Sequence, residues 1–255
     1  MINPQLFRAA LIAAGVAATP AALAQEFSVG SGIHYSTGTY GESSSTQIVS
    51  IPLTARYDMD AWTFKAVVPW LRISGDTDVV AGAGRVDRRR ARDRRVVTGM
   101  GDSTVSATYM MYGAGNRSGV GVGGKLKLAS GDEEQGLGTG SNDVSFQVEG
   151  FQTLERNTVF GAVGYTLFGD SPIANFENVL NVGLGVSHRL ATGDSVGLAF
   201  DARQAGTPAP AAQRELTGFW SHRLDRAWRM QAYLLKGFAR GSPDWGTGVS
   251  AAYVF

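Results

Sequence analysis

About twelve segments of this chain alternate apolar with small or polar residues at a period of two, and the connections between them run short, long, short, long. Phe27, Val29, Ile33 and Tyr35 are interleaved with Ser28, Gly30, Gly32 and His34. Val120, Val122, Leu126 and Leu128 are interleaved with Gly121, Gly123, Lys125 and Lys127, and Leu180, Val182, Leu184 and Val186 with Asn181, Gly183, Gly185 and Ser187. The short connections are Asp58–Asp60, Ala114–Arg117, Glu155–Asn157, Ala191–Asp194 and Leu224–Arg226. The long ones are Thr37–Thr46, Gly75–Met100, Ser130–Ser141, Gly169–Asn178, Gln204–Gln213 and Arg240–Asp244. A soluble sandwich would also alternate, but an even strand count with hairpins at one end and loops at the other is the pattern of a membrane-spanning barrel. The expected fold is all-β: a single-domain antiparallel transmembrane β-barrel of about 12 strands.

The ends of the chain agree with that reading. Arg8, the short apolar stretch Ala9–Ala18, the breaker Pro20 and the small residues of Ala22-Leu23-Ala24 read as a cleaved N-terminal signal peptide over 1–24, leaving 25–255 as the barrel. The last segment, Gly246–Phe255, alternates and stops on an aromatic residue, so Tyr253 and Phe255 are expected to address the chain to the barrel-assembly machinery of a Gram-negative outer membrane. An unpaired backbone group in hydrocarbon costs several kcal/mol, so the first strand must pair with the last. The absence of cysteine excludes a disulfide framework and thiolate chemistry. Mean hydropathy near zero suits strands that show lipid only every second residue. Tyr57, Trp62, Phe151, Trp220, Trp228, Tyr253 and Phe255 are expected in a periplasmic girdle, and Trp70, Tyr165, Phe168, Phe238 and Trp245 in an outer one. Pro52 and Pro69 lack a donor and should mark a bulge or an interrupted ladder.

Three elements carry a family resemblance: Gly99-Met-Gly-Asp-Ser103, Gly119–Leu128 running on to Lys127-Leu-Ala-Ser-Gly-Asp132, and Gly136-Leu-Gly-Thr-Gly140 before Ser141 and Asp143. The set resembles the outer-membrane transporter family of the meta-cleavage (MetA) pathway of phenol degradation. Its members share a Gly-x-Gly-Asp strand start, a Lys-Leu-Pro-Thr-Gly-Asp-like strand end and a Gly-x-Gly-Thr-Gly loop. Here Ala129-Ser130 replaces the Pro-Thr. The resemblance implies a barrel that passes small, aromatic or apolar molecules.

The inner faces are expected to carry His34, Arg56, Lys65, Lys125, Lys127, Arg203 and Arg223, with Glu149, Asp201 and Glu215 as counter-charges. This is the lining of a passive, mildly anion-preferring pore, or, if the charges pair across it, of a blocked structural or adhesive barrel. Arg85, Arg88, Arg89, Arg90, Arg92, Arg94 and Arg95 crowd the longest outer loop, and guanidinium forks suit lipopolysaccharide phosphates, although such runs also occur as solvated loops. Asp132, Glu133, Glu134, Asn142 and Asp143 offer oxygen ligands for calcium without an EF-hand spacing. His34 and Ser36, two apart, share a face and would suit a lipid hydrolase only if that face met lipid, whereas the pattern turns it inward. No cofactor is called for, and the expected partners are outer-membrane lipids and small solutes rather than nucleic acid.

Overall fold

The computed structural model describes residues 25–41, 43–75, 79–80, 84–85, 95–206 and 212–255. Its strands are β1 (Glu26–Gly38), β2 (Thr46–Met59), β3 (Trp62–Gly75), β4 (Val79–Val80), β5 (Gly84–Arg85), β6 (Arg95–Met100), β7 (Ser103–Tyr112) and β8 (Ser118–Leu128). They continue as β9 (Asp143–Leu154), β10 (Asn157–Leu167), β11 (Val179–Arg189), β12 (Ser195–Arg203), β13 (Gln213–Arg223), β14 (Trp228–Gly237) and β15 (Trp245–Val254). β4 and β5 form a small separate hairpin. The other thirteen strands form one antiparallel sheet, in which β6 and β7 follow one another along the same edge of β3. They act as one stave, so the wall has twelve. The sheet closes because β1 pairs with β15 from Ser28↔Val254 to Thr37↔Trp245, and the Phe255 amide donates to the Phe27 carbonyl at 2.9 Å. Closure leaves no edge to be buried unpaired in hydrocarbon.

The alternation places apolar residues outside and polar or small ones inside, the inverse of a soluble protein. Leu53, Leu184 and Leu234 are about 60% exposed, while Ser50 and Thr217 are about 1% exposed on the inner face. Aromatic rings bound this apolar band. At the periplasmic end Trp62 stacks with Phe64 and tilts against Tyr109 (5.0 Å), and Trp228, Tyr253, Phe255 and Phe27 form a chain of rings 4.9–5.6 Å apart. At the outer end Trp70, Tyr165 and Trp245 are exposed, with the Lys236 ammonium 4.5 Å from the Trp245 ring centre. Two expected girdle residues lie elsewhere. Phe151 follows the inward parity of β9, and Phe168 packs with Phe176 beside the buried Val80 at the outer mouth.

Both prolines interrupt a ladder. Pro52 sits where the β1–β2 pairing breaks between Ser31↔Leu53 and His34↔Ser50. Pro69 sits where β3 changes partner from β6 (Trp70↔Met100) to β7 (Val67↔Thr104). The residue numbers of paired positions sum to 170 on one side of this junction and 171 on the other, so the β6–β7 stave carries one extra residue: a bulge at Gly101–Asp102. Pro69 has no N–H to offer there, but its carbonyl accepts the Gly101 amide at 2.8 Å. A bulge re-aims side chains, and Asp102 is turned into the barrel, 8% exposed. β6 itself corrects the expected loop Gly75–Met100, because Arg95–Met100 is wall strand.

Candidate functional site in the barrel lumen

The three sequence elements that carry the family resemblance meet at one buried knot. Lys127, wholly buried on the inner face of β8, places its Nζ 2.7 Å from Asp143 Oδ2 and 3.2 Å from Asp102 Oδ2, and donates to Thr139 Oγ1. Asp102 accepts the backbone amides of Gly131 (3.0 Å) and Thr139 (3.1 Å). Asp143 accepts from Ser141 Oγ (3.0 Å) and the Gly169 amide (3.2 Å). Gly138 lies so close to the Asp102 carboxylate that a β-carbon there would collide with it. The Gly-x-Gly-Asp element therefore supplies the bulge and its carboxylate, the Lys-Leu element supplies the cation, and the Gly-x-Gly-Thr-Gly loop folds over both. This fastens the 129–142 connection to the wall. Ser130 reinforces it, its hydroxyl accepting the Ser103 amide (2.8 Å) and donating to the Gly101 carbonyl (3.0 Å).

The expected counter-charges are thus corrected for Lys127, whose partners are Asp102 and Asp143 rather than Glu149 and Asp201. Glu149 instead accepts from Gln147 Nε2, and Asp201 stands opposite Glu215 in the β12–β13 register. The expected calcium ligands are not gathered: Asp143 serves Lys127, Asn142 Oδ1 accepts the Ala129 amide, and Asp132 accepts from Gln135. Among the described residues no group of three or more His, Cys, Asp or Glu is arranged to hold a metal ion.

Arg56 lies on one cross-strand row with Lys65 and Lys125. Arg56 opposes Lys65, Lys65 opposes Ser106, and Ser106 opposes Lys125. Lys125 is within electrostatic reach of Lys65 and of Arg203, and Lys65 of Arg56. Arg56 makes a two-pronged pair with Asp58 (Nε–Oδ2 2.7 Å, Nη2–Oδ1 2.8 Å), and Thr63 donates to the same carboxylate. Arg223 stands exposed at the periplasmic end of β13, opposite Arg229, which pairs with Glu26 at 2.8 Å.

Sequence reasoning missed an aromatic wall. Phe160 and Phe219 are buried on the inner face with Ala162 and Ala199, and Phe151 and Tyr233 pack against them. Each of the four rings stands directly opposite a glycine of the next strand: Phe151↔Gly119, Phe160↔Gly185, Phe219↔Gly197 and Tyr233↔Gly248. A β-carbon on Gly185 or Gly197 would strike the tip of the facing ring, so the rings lie flat along the wall where those side chains are missing. The signal was present as glycines on inward positions, but it becomes readable only with the register. His34 also faces inward; its Nδ1 hydrogen-bonds the Tyr233 hydroxyl at 3.1 Å and the two rings stack. Ser36, two residues on, is buried on the same inner face, away from lipid.

The outer mouth is lined by Tyr40, Ile48, Leu71, Ile73, Val79, Val97 and Leu137, which form one buried apolar cluster. Val80 packs beside it against Phe168, Ile173, Ala174 and Phe176. Of the arginine-rich loop, Arg88, Arg89, Arg90, Arg92 and Arg94 lie outside the described residues, as does the expected leader 1–24. Arg85 and Arg95 are placed only as backbone, in β5 and β6.

A sealed cylinder with an apolar band outside, aromatic girdles at both rims and a polar and aromatic interior is an outer-membrane β-barrel. Residues 17–206 match the model of the family described as "Putative MetA-pathway of phenol degradation", and the chain belongs to that family. In structure it is similar to the COG4313 outer membrane channel from Pseudomonas putida F1, with a TM-score of 0.71 and 15% identity over 94% of this chain and 98% of that one. It is also similar to the KdgM porin, with a TM-score of 0.55 and 12% identity over 89% and 99%. At these identities the likeness speaks for the fold. No curated protein matches the chain in sequence.

Proposed function

We propose that this protein is a passive, porin-like outer-membrane channel for small solutes, with aromatic or hydrophobic compounds among them. The observation that carries this reading is the aromatic wall laid flat by its facing glycines. Such a wall holds bulky rings flat against the strands and out of the bore. The neighbours with a similar fold are described as a channel and a porin, which supports a transport role rather than an enzymatic one. His34 fits that role as a wall residue, held by Tyr233 and turned from lipid. A barrel with a blocked lumen is the second reading, and it rests on the buried apolar cluster at the outer mouth. Planar-bilayer recording separates the two: discrete single-channel steps are expected, and their absence at high protein-to-lipid ratio supports the blocked barrel.

Three further assignments accompany this reading. A leader cleaved after Ala24 directs export, the terminal Tyr253 and Phe255 engage the assembly machinery, and the arginines from Arg85 to Arg95 contact lipopolysaccharide phosphates. Replacing those arginines with glutamine should weaken lipopolysaccharide binding, and unchanged binding would remove that role.

A further inference from the structure

The outer ends of β13 and β14 carry cations on the face turned to lipid. Arg214 and Lys236 have the outward parity of the exposed Leu216 and Leu234, and Arg240 stands exposed in the connection that follows β14. Lys236 opposes Leu216 on one side and Trp245 on the other, and its ammonium lies 4.5 Å from the Trp245 ring centre. One step further out, the Phe238 amide donates to the Arg214 carbonyl at 2.8 Å, and Phe238 is 62% exposed. The buried Ser242 accepts the Arg214 amide at 2.9 Å and donates to the Arg214 carbonyl at 3.2 Å, so the connection after β14 is folded back onto β13. The Arg214 guanidinium is braced at Nη1 by the Arg203 and Gln213 carbonyls (3.0 and 2.6 Å), which leaves Nε and Nη2 for an outside partner. Among the described residues none of these three cations is in an ion pair. The neighbouring Asp244 turns to the end of β1, where it accepts the Thr39 amide at 3.2 Å, and Glu215 has the inward parity.

Height decides what these cations meet. Trp245 and Tyr253 share the outward parity of β15, and the stretch between them spans roughly 27 Å along the strand, or about 20 Å along the barrel axis at a tilt of about 40°. With Tyr253 in the periplasmic girdle, Trp245 and Lys236 stand at the opposite boundary of the apolar band, and Arg214, Phe238 and Arg240 just beyond it. A cation on the lipid side of the wall is costly inside hydrocarbon and gains from an anion at the headgroup level. Guanidinium and ammonium groups bind phosphate through charge-assisted hydrogen bonds, and exposed rings settle beside them at the same level. We propose that this patch is a docking site for a phosphorylated glycolipid of the outer leaflet, its phosphates held by Arg214, Lys236 and Arg240 and its acyl chains lying along Leu216 and Leu234. Cations from three elements, spread to either side of Phe238, suit a headgroup with more than one phosphate. The site is separate from the arginines between Arg85 and Arg95, and it rests on the outer-membrane placement of the barrel, not on conduction.

The test uses the full-length barrel in detergent, with bis-phosphorylated lipid A as probe and dephosphorylated lipid A, phosphatidylglycerol and inorganic phosphate as comparisons. Retained lipid is counted by native mass spectrometry, which does not require an open pore. Lipid A should bind, with its dephosphorylated form and phosphatidylglycerol each weaker by about tenfold or more, the loss of one or more charge-assisted contacts. Inorganic phosphate at the same concentration should not displace it. The double variant Arg214→Gln, Lys236→Gln should weaken lipid A binding by about tenfold or more, whereas Lys236→Arg, which keeps the charge, should retain it, both with heat-modifiable mobility. Equal binding with and without the phosphates, phosphatidylglycerol binding as tight as lipid A, displacement by inorganic phosphate, or unchanged affinity in the double variant overturns the proposal. Glutamine substitution of the loop arginines separates the two contacts. Loss of lipid A with the loop variant alone refutes the wall site and keeps the loop contact, and loss with the wall variant alone keeps the wall site and refutes the loop contact.

Discussion

At the scale of single residues, the most consequential contact is Lys127 between two carboxylates. Its burial means that the ammonium and both acids have left water, and the arrangement holds only while all three charges are present. Lys127→Met would leave Asp102 and Asp143 buried without their cation, a change that costs about 3–5 kcal/mol when a buried pair is broken on one side. The expected outcome is a matching loss of stability in urea titrations of the folded barrel, with Asp102→Asn in the same background recovering part of it. A Lys127→Met barrel as stable as the parent would show that the knot contributes little. A second residue-scale prediction concerns the periplasmic turn. The hydrogen bond between His222 Nδ1 and Asp194 (2.6 Å), helped by the Trp220 indole (3.1 Å), holds the Asp194 carboxyl below its ordinary range. A depressed folded-state pKa stabilises the hairpin above the unfolded value and is lost as pH falls through the folded one. The β11–β12 turn is therefore expected to stay protected from hydrogen exchange at neutral pH and to loosen only in acid below the usual carboxylate range. Asp194→Asn should remove that acid-dependent step. A step that survives the substitution would assign it to another group.

At the scale of elements, the strands were legible because a two-residue period is a local property, whereas the bulge was not. One extra residue at Gly101–Asp102 lies beside a long connection, and in the sequence Arg95–Met100 cannot be told from that loop. Only the pairing of β6 and β7 with the same strand, β3, exposes it. Pro69 hinted at a disruption but not at which neighbour would absorb it. The inner rings were hidden for a similar reason. Val159-Phe160 and Phe219-Trp220 are apolar on both parities, so alternation cannot say which ring faces in, while the glycine opposite each inner ring is a cross-strand fact. Two predictions belong here. Deleting Gly101 removes the extra residue while β6 and β7 keep their faces and their partners on β3, so what is lost is the local kink that aims Asp102 at Lys127. The deletion should still give a barrel whose electrophoretic mobility changes on boiling, but one that unfolds at lower urea concentration than the parent. A barrel as stable as the parent would make the bulge dispensable. Gly197→Leu adds a side chain where the Phe219 ring lies, so the ring must swing into the bore, and single-channel current should fall by about half or more as the narrow section is obstructed. Undiminished current would mean that Phe219 does not border the path.

At the scale of the whole molecule, the fold is dictated by the solvent it meets. Hydrocarbon forbids an open sheet edge, so β1 must find β15, and apolar residues go outward because that is where the oil is. The interior is then free to vary, and here it holds an apolar cluster under the outer loops, a charged knot holding one of those loops in place, and an inner face that carries both buried rings and charged side chains. The strand face that carries the charged residues followed from alternation. Their partners did not, because pairing across a cylinder depends on strand stagger that a single sequence does not display.

The natural absence of cysteine permits a direct test of the claim that the inner register borders a water-filled path. Lys65→Cys places a thiol on the inner face and Leu53→Cys one on the lipid face. With each protein conducting in a planar bilayer, a charged, water-soluble methanethiosulfonate is added. A stepwise change in current is expected for Lys65→Cys and none for Leu53→Cys. A silent Lys65→Cys beside a reactive Leu53→Cys would contradict it.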